Sequence, residues 1–225
     1  MNFKYFHILS GLFVATLLIS NTVAVKIISI GPFAIPAGIL CFPLSYIFGD
    51  VLTEVYGYAR SRSIIWTGFF CLALMSLFYW LAEILPPAPF WNNQTSFDAI
   101  LGQAPRIAFA SLVAYCIGEF SNSYVLSRMK IWTQGRYLWT RTIGSTIVGE
   151  AIDSVSFNLV AFAGVFGFSD LLNIIATGYV MKVLYEIVAT PLTYKMVGFL
   201  KRAEQIDTFD HGTNYNTFLI NEDAS

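Results

Sequence analysis

Eight ionisable residues interrupt otherwise apolar stretches of this chain: Lys26, Asp50, Glu54, Glu119, Glu150, Asp153, Lys182 and Glu186. Asp50 and Glu54 stand four residues apart and share a helical face. Lys182 and Glu186 have the same spacing, which suits an ion pair along one helix. Thr146, Glu150 and Asp153 stack on another face, with Ser145, Ser154 and Asn158 beside them, and Glu119 shares a face with Asn122. Asn21 adds an amide near the end of the first apolar stretch. An ionisable group near the centre of a bilayer costs roughly 3 kcal/mol, so these residues must face one another, a wet cavity or the interface. Polar contacts between membrane helices average only about 0.6 kcal/mol, and a few of them would suffice as glue. Six acids against two lysines leave carboxylates that internal pairing does not neutralise; those must bind protons or meet a ligand. Glu119, Glu150 and Asp153 are the first candidates for a ligand site, with Asp50, Asn122, Asn158 and Asn21 around them. Lys182, Glu186 and Glu54 are candidates for ion coupling or a structural pair.

The elements that position these groups follow from composition. The chain has 225 residues, 56% hydrophobic and 12% charged, with a mean hydropathy of +0.62. These values exclude a disordered chain. A net charge of −1 argues against a basic nucleic-acid surface. A helix crosses a bilayer with about 20 apolar residues, and six segments qualify: 5–25, 35–55, 64–85, 107–126, 142–162 and 171–192. They do not alternate as barrel strands would. The first is too long in its apolar part, and lacks the cleavage site, for a signal peptide. Ten of the 13 basic residues fall on one side if the N-terminus is inside: Lys4, Arg60, Arg62, Arg128, Lys130, Arg136, Arg141, Lys195, Lys201 and Arg202. The expected fold is therefore an all-α integral membrane protein, six transmembrane helices in one bundle over residues 1–202, with both termini cytoplasmic. Residues 203–225, with Asp207, Asp210, Glu222 and Asp223, read as a polar, disordered cytoplasmic tail.

Smaller signals refine this picture. Pro36 and Pro43 interrupt the second segment before Gly49 and Asp50, so it is expected to bend around a cavity. Trp66 and Trp80 lie near opposite ends of the third, where indoles anchor at headgroups. Ser20-Asn21 and Ser121-Asn122 echo one another, as an inverted repeat of three spans per half would require. Asn93-Gln94-Thr95, in the outside loop 86–105, matches a glycosylation sequon. Cys41, Cys71 and Cys116 read as small buried hydrophobes. Metal-ligand spacing is missing and the only histidines are His7 and His211, so no cofactor or metal is called for.

Several motifs carry a family resemblance. Ser20-Asn21 with Lys26, Phe42-Pro43, and the run Asp50-Val51-Leu52-Thr53-Glu54-Val55-Tyr56-Gly57 resemble the vitamin uptake transporter family, whose members are described as queuosine precursor transporters. So do Gly118-Glu119-Phe120-Ser121-Asn122-Ser123, the run 141–146, and Asp153-Ser154 followed by Phe157-Asn158. The resemblance covers residues 10–200. It implies a multi-pass carrier of the cell inner membrane that imports 7-cyano- or 7-aminomethyl-7-deazaguanine, or a related deazapurine base, for tRNA modification. It also implies a fold akin to the substrate-binding subunits of energy-coupling-factor importers. The expected partners are that small molecule and the lipid bilayer, with no nucleic acid. A deazaguanine presents adjacent N–H donors, and a carboxylate accepts two at once. Glu119 or Glu150 is expected to read that edge, with Asp153 or Asp50 nearby, and Tyr46, Phe120 or Tyr185 to stack on the base.

The driving force stays open at this level. The chain has no nucleotide-binding loop, so it works by facilitated diffusion, with an ion, or with a separate energising module. Gly11-x-x-x-Ala15 can pack within the chain or on a second copy. A membrane-embedded enzyme using Glu150 and Asp153 as an acid pair is the reading from another class.

Overall fold

The computed structural model describes residues 3–23, 26–30, 33–101, 105–162, 164 and 167–219. Among these, seven α-helices form one bundle: α1 Phe6–Val23, α2 Phe42–Tyr56, α3 Tyr58–Ile84, α4 Gln94–Leu101, α5 Pro105–Trp132, α6 Leu138–Phe162 and α7 Phe168–Glu204. A two-stranded antiparallel hairpin, β1 Ile27–Ile30 and β2 Phe33–Pro36, and a 3₁₀ turn, Ala37–Leu40, lie between α1 and α2. The end of the first apolar segment (24–25), part of the loop 86–105 (102–104), and Glu222 and Asp223 lie outside the described residues.

The bundle is polar inside and apolar outside. Asp50, Glu54, Thr142 and Ser145 are fully buried and Arg62 and Arg141 nearly so, whereas Phe78, Phe109 and Val188 are well exposed. Only a hydrocarbon surrounding makes that distribution favourable. The chain is a helical membrane protein. By length and apolarity, three stretches can cross a membrane by themselves: α1, α3 and residues Leu171–Glu204 of α7. α5 and α6 are long enough, but the inward charges and hydroxyls they carry lower their apolar average.

Several boundaries differ from the sequence reading. The second segment, expected to be helical from residue 35, starts as a helix only at Phe42 and runs for 15 residues. Pro36 ends β2 opposite Ile27, and Pro43 sits in the first turn of α2, where a missing N–H costs nothing. The expected bend is thus a helix start behind a hairpin, and Lys26 is an exposed residue at its base. Within the loop 86–105, Gln94 donates to Asp98 one turn on, and α4 forms there. α7 runs for 37 residues, about 55 Å at 1.5 Å per residue, and so projects beyond a core roughly 30 Å thick.

Residues 205–219, read above as a disordered extension, pack back onto the bundle. Gln205 takes a left-handed conformation that turns the chain (φ 53°, ψ 38°). Asp210 then becomes buried, accepting hydrogen bonds from the Tyr58 amide at 3.1 Å and the Ser127 hydroxyl at 2.6 Å. Trp66 is part of this contact. Its indole donates to the Thr217 carbonyl at 2.7 Å and its ring packs on Phe120 and Phe218, so it anchors the tail and not the headgroups.

Candidate functional site: a buried carboxylate cluster

Three glycines bring the polar helices together. Gly49, Gly118 and Gly149 each precede an acid (Asp50, Glu119, Glu150) and stand four residues before a polar side chain (Thr53, Asn122, Asp153). A Cβ at Gly149 would lie 2.7 Å from the Asn122 Cβ, and one at Gly118 would lie 2.8 Å from the Asp153 Cβ. The backbones of α5 and α6 therefore touch at these two residues. Gly49 leaves room for the Glu119 carboxylate, whose Oε1 would be 2.6 Å from a Cβ there. Small residues allow this close approach between membrane helices. The glycine–acid step recurring in the sequence is the signal of this crossing; the Ser-Asn echo is not. Asn21 is half-buried and bonded to its own helix, whereas Asn122 is buried against α2.

Around this crossing lie two polar layers. In the first, Asn122 Nδ2 donates to Asp50 Oδ1 at 2.8 Å, joining α5 to α2. Asp50 Oδ2, Asn122 Oδ1, Glu119 Oε1 and Glu186 Oε1 are all buried with no hydrogen-bond partner among the described residues. In the second, Lys182 of α7 bridges two acids of α6, with Nζ 2.7 Å from Glu150 Oε2 and 2.6 Å from Asp153 Oδ2. The Tyr46 hydroxyl of α2 also hydrogen-bonds Glu150. The expected Lys182–Glu186 pair does not form. The lysine reaches across to α6, where two carboxylates outcompete one, and Glu186 is left facing the first layer.

Glu54 belongs to a different cluster. Its carboxylate accepts Arg141 Nε at 2.6 Å, Arg141 Nη2 at 2.8 Å and Lys201 Nζ at 2.6 Å, with Lys130 Nζ at 3.5 Å. Asp207 joins from the tail at 2.5 Å from Lys130 and 2.9 Å from Lys201. Burial raises the Asp207 carboxyl, but hydrogen bonds and charge from the two lysines outweigh it and hold the group below its ordinary range. This pairing joins α2 to α5, α6 and α7, and it changes the charge balance read from the sequence. Its partners come from the basic residues assigned to the cytoplasmic rim, so one acid leaves the unpaired set. Five carboxylates then share Lys182.

The remaining candidates scatter. Asn158 Nδ2 donates to the Ser154 carbonyl of its own helix, as Asn21 Nδ2 does to Leu17, so each amide spends one of its two N–H donors within its own helix. Tyr185 is exposed on the outer face, and Phe120 packs on Trp66 away from the acids. Of the three proposed stacking rings, only Tyr46 stands at the cluster. A cleft of about 270 Å³ opens at the far end of the bundle, between α1, α3 and α5, lined by Asn21, Met75, Tyr79, Trp80 and Phe109. Its lining is mostly apolar, and the unpaired buried acids lie elsewhere. The described residues hold no group of histidines, cysteines and acids arranged for a metal ion.

The profile of the family described as "Putative vitamin uptake transporter" matches residues 36–196. A Bacillus subtilis (strain 168) protein named "Probable queuosine precursor transporter" is 30% identical over 176 residues, which cover 78% of this chain and 77% of that protein. The Escherichia coli (strain K12) "Queuosine precursor transporter" is 26% identical over 175 residues, 75% of each chain. No solved structure matches.

Proposed function

Because this chain belongs to the vitamin uptake transporter family, we propose that it imports a queuosine precursor, 7-cyano- or 7-aminomethyl-7-deazaguanine or a related base, across the inner membrane for tRNA modification. Membership of a transporter family sets the membrane-enzyme reading aside. The observation that carries the proposal is the set of buried carboxylate oxygens on Asp50, Glu119 and Glu186 that no group among the described residues satisfies. A buried polar group without a partner costs free energy, and a ligand with matching donors removes that cost. The 2-aminopyrimidinone edge of a deazaguanine offers two N–H donors side by side. Glu119 is the acid assigned to that edge, being unpaired where Glu150 is held by Lys182. Asp50 and Asn122 lie beside it, and the second layer supplies Lys182 as a donor toward the ring carbonyl. Tyr46, hydrogen-bonded to Glu150, supplies an aromatic surface there.

In this reading α1, α2 with its hairpin, α3, α5, α6 and α7 make six crossings, with both termini cytoplasmic at the Glu54 end. That end carries Arg60, Arg62, Arg128, Arg136 and Lys201, as the distribution of positive charge requires. The test is uptake of labelled 7-aminomethyl-7-deazaguanine by cells unable to synthesise it, with modified tRNA as the readout. Glu119→Gln is expected to lose about tenfold or more in uptake, since one carboxylate hydrogen-bond acceptor becomes a donor. Wild-type uptake in a correctly inserted Glu119→Gln protein refutes the assignment.

A further inference from the structure

The tail segment forms a strap across the end of the bundle that carries the basic residues. Leaving α7 at Gln205, it places Asp207 between Lys130 of α5 and Lys201 of α7. The Thr208 carbonyl accepts Lys130 Nζ at 2.7 Å, and its amide donates to the Val55 carbonyl at the end of α2. Asp210 is 5% exposed and caps the start of α3 through the Tyr58 amide while accepting from Ser127 of α5. Beyond it, Arg62 Nη1 donates to the carbonyls of Asn214 and Asn216, both at 2.8 Å, and Trp66 donates to Thr217. The surface below is shaped to receive the strap. Gly57 has φ +86°, and a Cβ there would stand 2.6 Å from Thr208 Cγ2; Gly135 has φ +73°, with Phe209 Cζ at 2.9 Å from the same hypothetical atom.

One segment thus fastens the α2–α3 joint to α5 and α7 at a single end of the bundle. The carboxylate cluster lies deeper between those helices, with Glu119 about two turns from Ser127 along α5 and Glu186 about four turns from Lys201 along α7. A carrier exposes such a site by parting helices at one membrane face and then at the other. The strap opposes parting at its own face, through largely buried hydrogen bonds and ion pairs that must break before the helices can separate there. We infer that residues 206–219 are a cytoplasmic latch, and that its release is the step that opens the carboxylate site to the cytoplasm. This inference rests on the carrier reading above.

Two readouts separate the latch from that reading. The first needs no substrate. In a background with Cys41, Cys71 and Cys116 replaced by serine, Ser123→Cys places a reporter on α5 between Ser127 and Glu119. Its labelling by a membrane-impermeant maleimide is followed in inside-out vesicles. Ending the chain after Gln205, or Asp210→Ala in the full chain, removes hydrogen bonds that hold the closed state. Each is expected to speed labelling about tenfold through the larger open population. Equal labelling in the intact and altered chains overturns the latch. If the shortened chain fails to insert, the Asp210→Ala comparison decides. The second readout is uptake of 7-aminomethyl-7-deazaguanine by Ser127→Cys/Asp210→Cys protein. Cross-linking is expected to abolish uptake and a reductant to restore it; full uptake by quantitatively cross-linked protein overturns the latch. Absence of uptake by the unaltered chain fails the carrier reading alone, and the labelling result still decides the latch.

Discussion

Replacing Glu54 by glutamine tests how much of the bundle depends on a single buried carboxylate. Lys201 Nζ and Lys130 Nζ lie 2.6 and 3.5 Å from the same Glu54 oxygen. Both also touch one Asp207 oxygen, so at an effective dielectric constant of about 20 these two like charges, about 5 Å apart, repel by about 3 kcal/mol. The Arg141 guanidinium, 2% exposed, faces the same point and loses two charge-assisted hydrogen bonds. Asp207 offsets part of the repulsion, since it touches both lysines. Breaking a buried ion pair from one side costs about 3–5 kcal/mol in other proteins, in line with this balance. For a chain of this size that cost corresponds to a fall in Tm of about 6–20 °C. The assay is thermal unfolding of detergent-solubilised Glu54→Gln, Arg141→Gln and the double variant. The double variant is expected to lose less than the sum of the two single losses, because the orphaned charge is then absent. A Tm fall of under about 3 °C in Glu54→Gln, or strict additivity in the cycle, would refute the claim that Glu54 holds the hub.

Three further outcomes are expected. Gly149→Ala puts a methyl 2.7 Å from the Asn122 Cβ and 3.1 Å from the Gly118 carbonyl; overpacking of this kind costs about 1–3 kcal/mol, and Tm should fall while Gly178→Ala, where a Cβ meets open space, leaves it unchanged. Lys182→Met leaves Glu150 and Asp153 facing each other without their cation, and is expected to lower both Tm and uptake by more than Asp153→Asn, measured side by side. Asp207 sits below its ordinary carboxyl range in the folded chain, so its contribution to tail docking is complete above about pH 4 and is lost as pH falls through the lower folded value. Fluorescence of a variant keeping Trp66 as its one tryptophan should be flat from neutral pH to about 5, change in more acid solution, and lose most of that change in Asp207→Asn.

How much of this was legible depended on whether the determinant lay within one helix or between several. α1, α3, α5, α6 and α7 follow from long apolar runs, and the inward direction of Asp50, Glu119 and Glu150 follows from the cost of charge in hydrocarbon. The start of α2 was not legible, because the apolar residues before Pro36 serve a strand as well as a helix, and periodicity does not separate short runs of the two. Partner choice was least accessible. Helical spacing places Lys182 and Glu186 on one face, but only the packing of α6 on α7 puts Glu150 and Asp153 within the lysine's reach. Likewise Arg141, Lys130 and Lys201 read as rim charges when counted, and as the ligands of Glu54 when placed. The tail was misjudged on polarity alone. Besides the carboxylates of Asp207 and Asp210, its order comes from carbonyls, which carry no signature in side-chain composition, meeting Lys130, Arg62 and Trp66.

The contact at Gly118 and Gly149 has a mechanical meaning. The acids of the cluster sit immediately beside the points where the helices bear on one another. If Glu119 and Glu150 receive the substrate as proposed, recognition and articulation occupy the same few ångströms. A ligand drawing either acid toward itself would then act on a short arm beside the contact, and a small shift there would become a large one at the helix ends, where the tail is docked. Occupancy would be converted into tilt without any relay of intervening side chains.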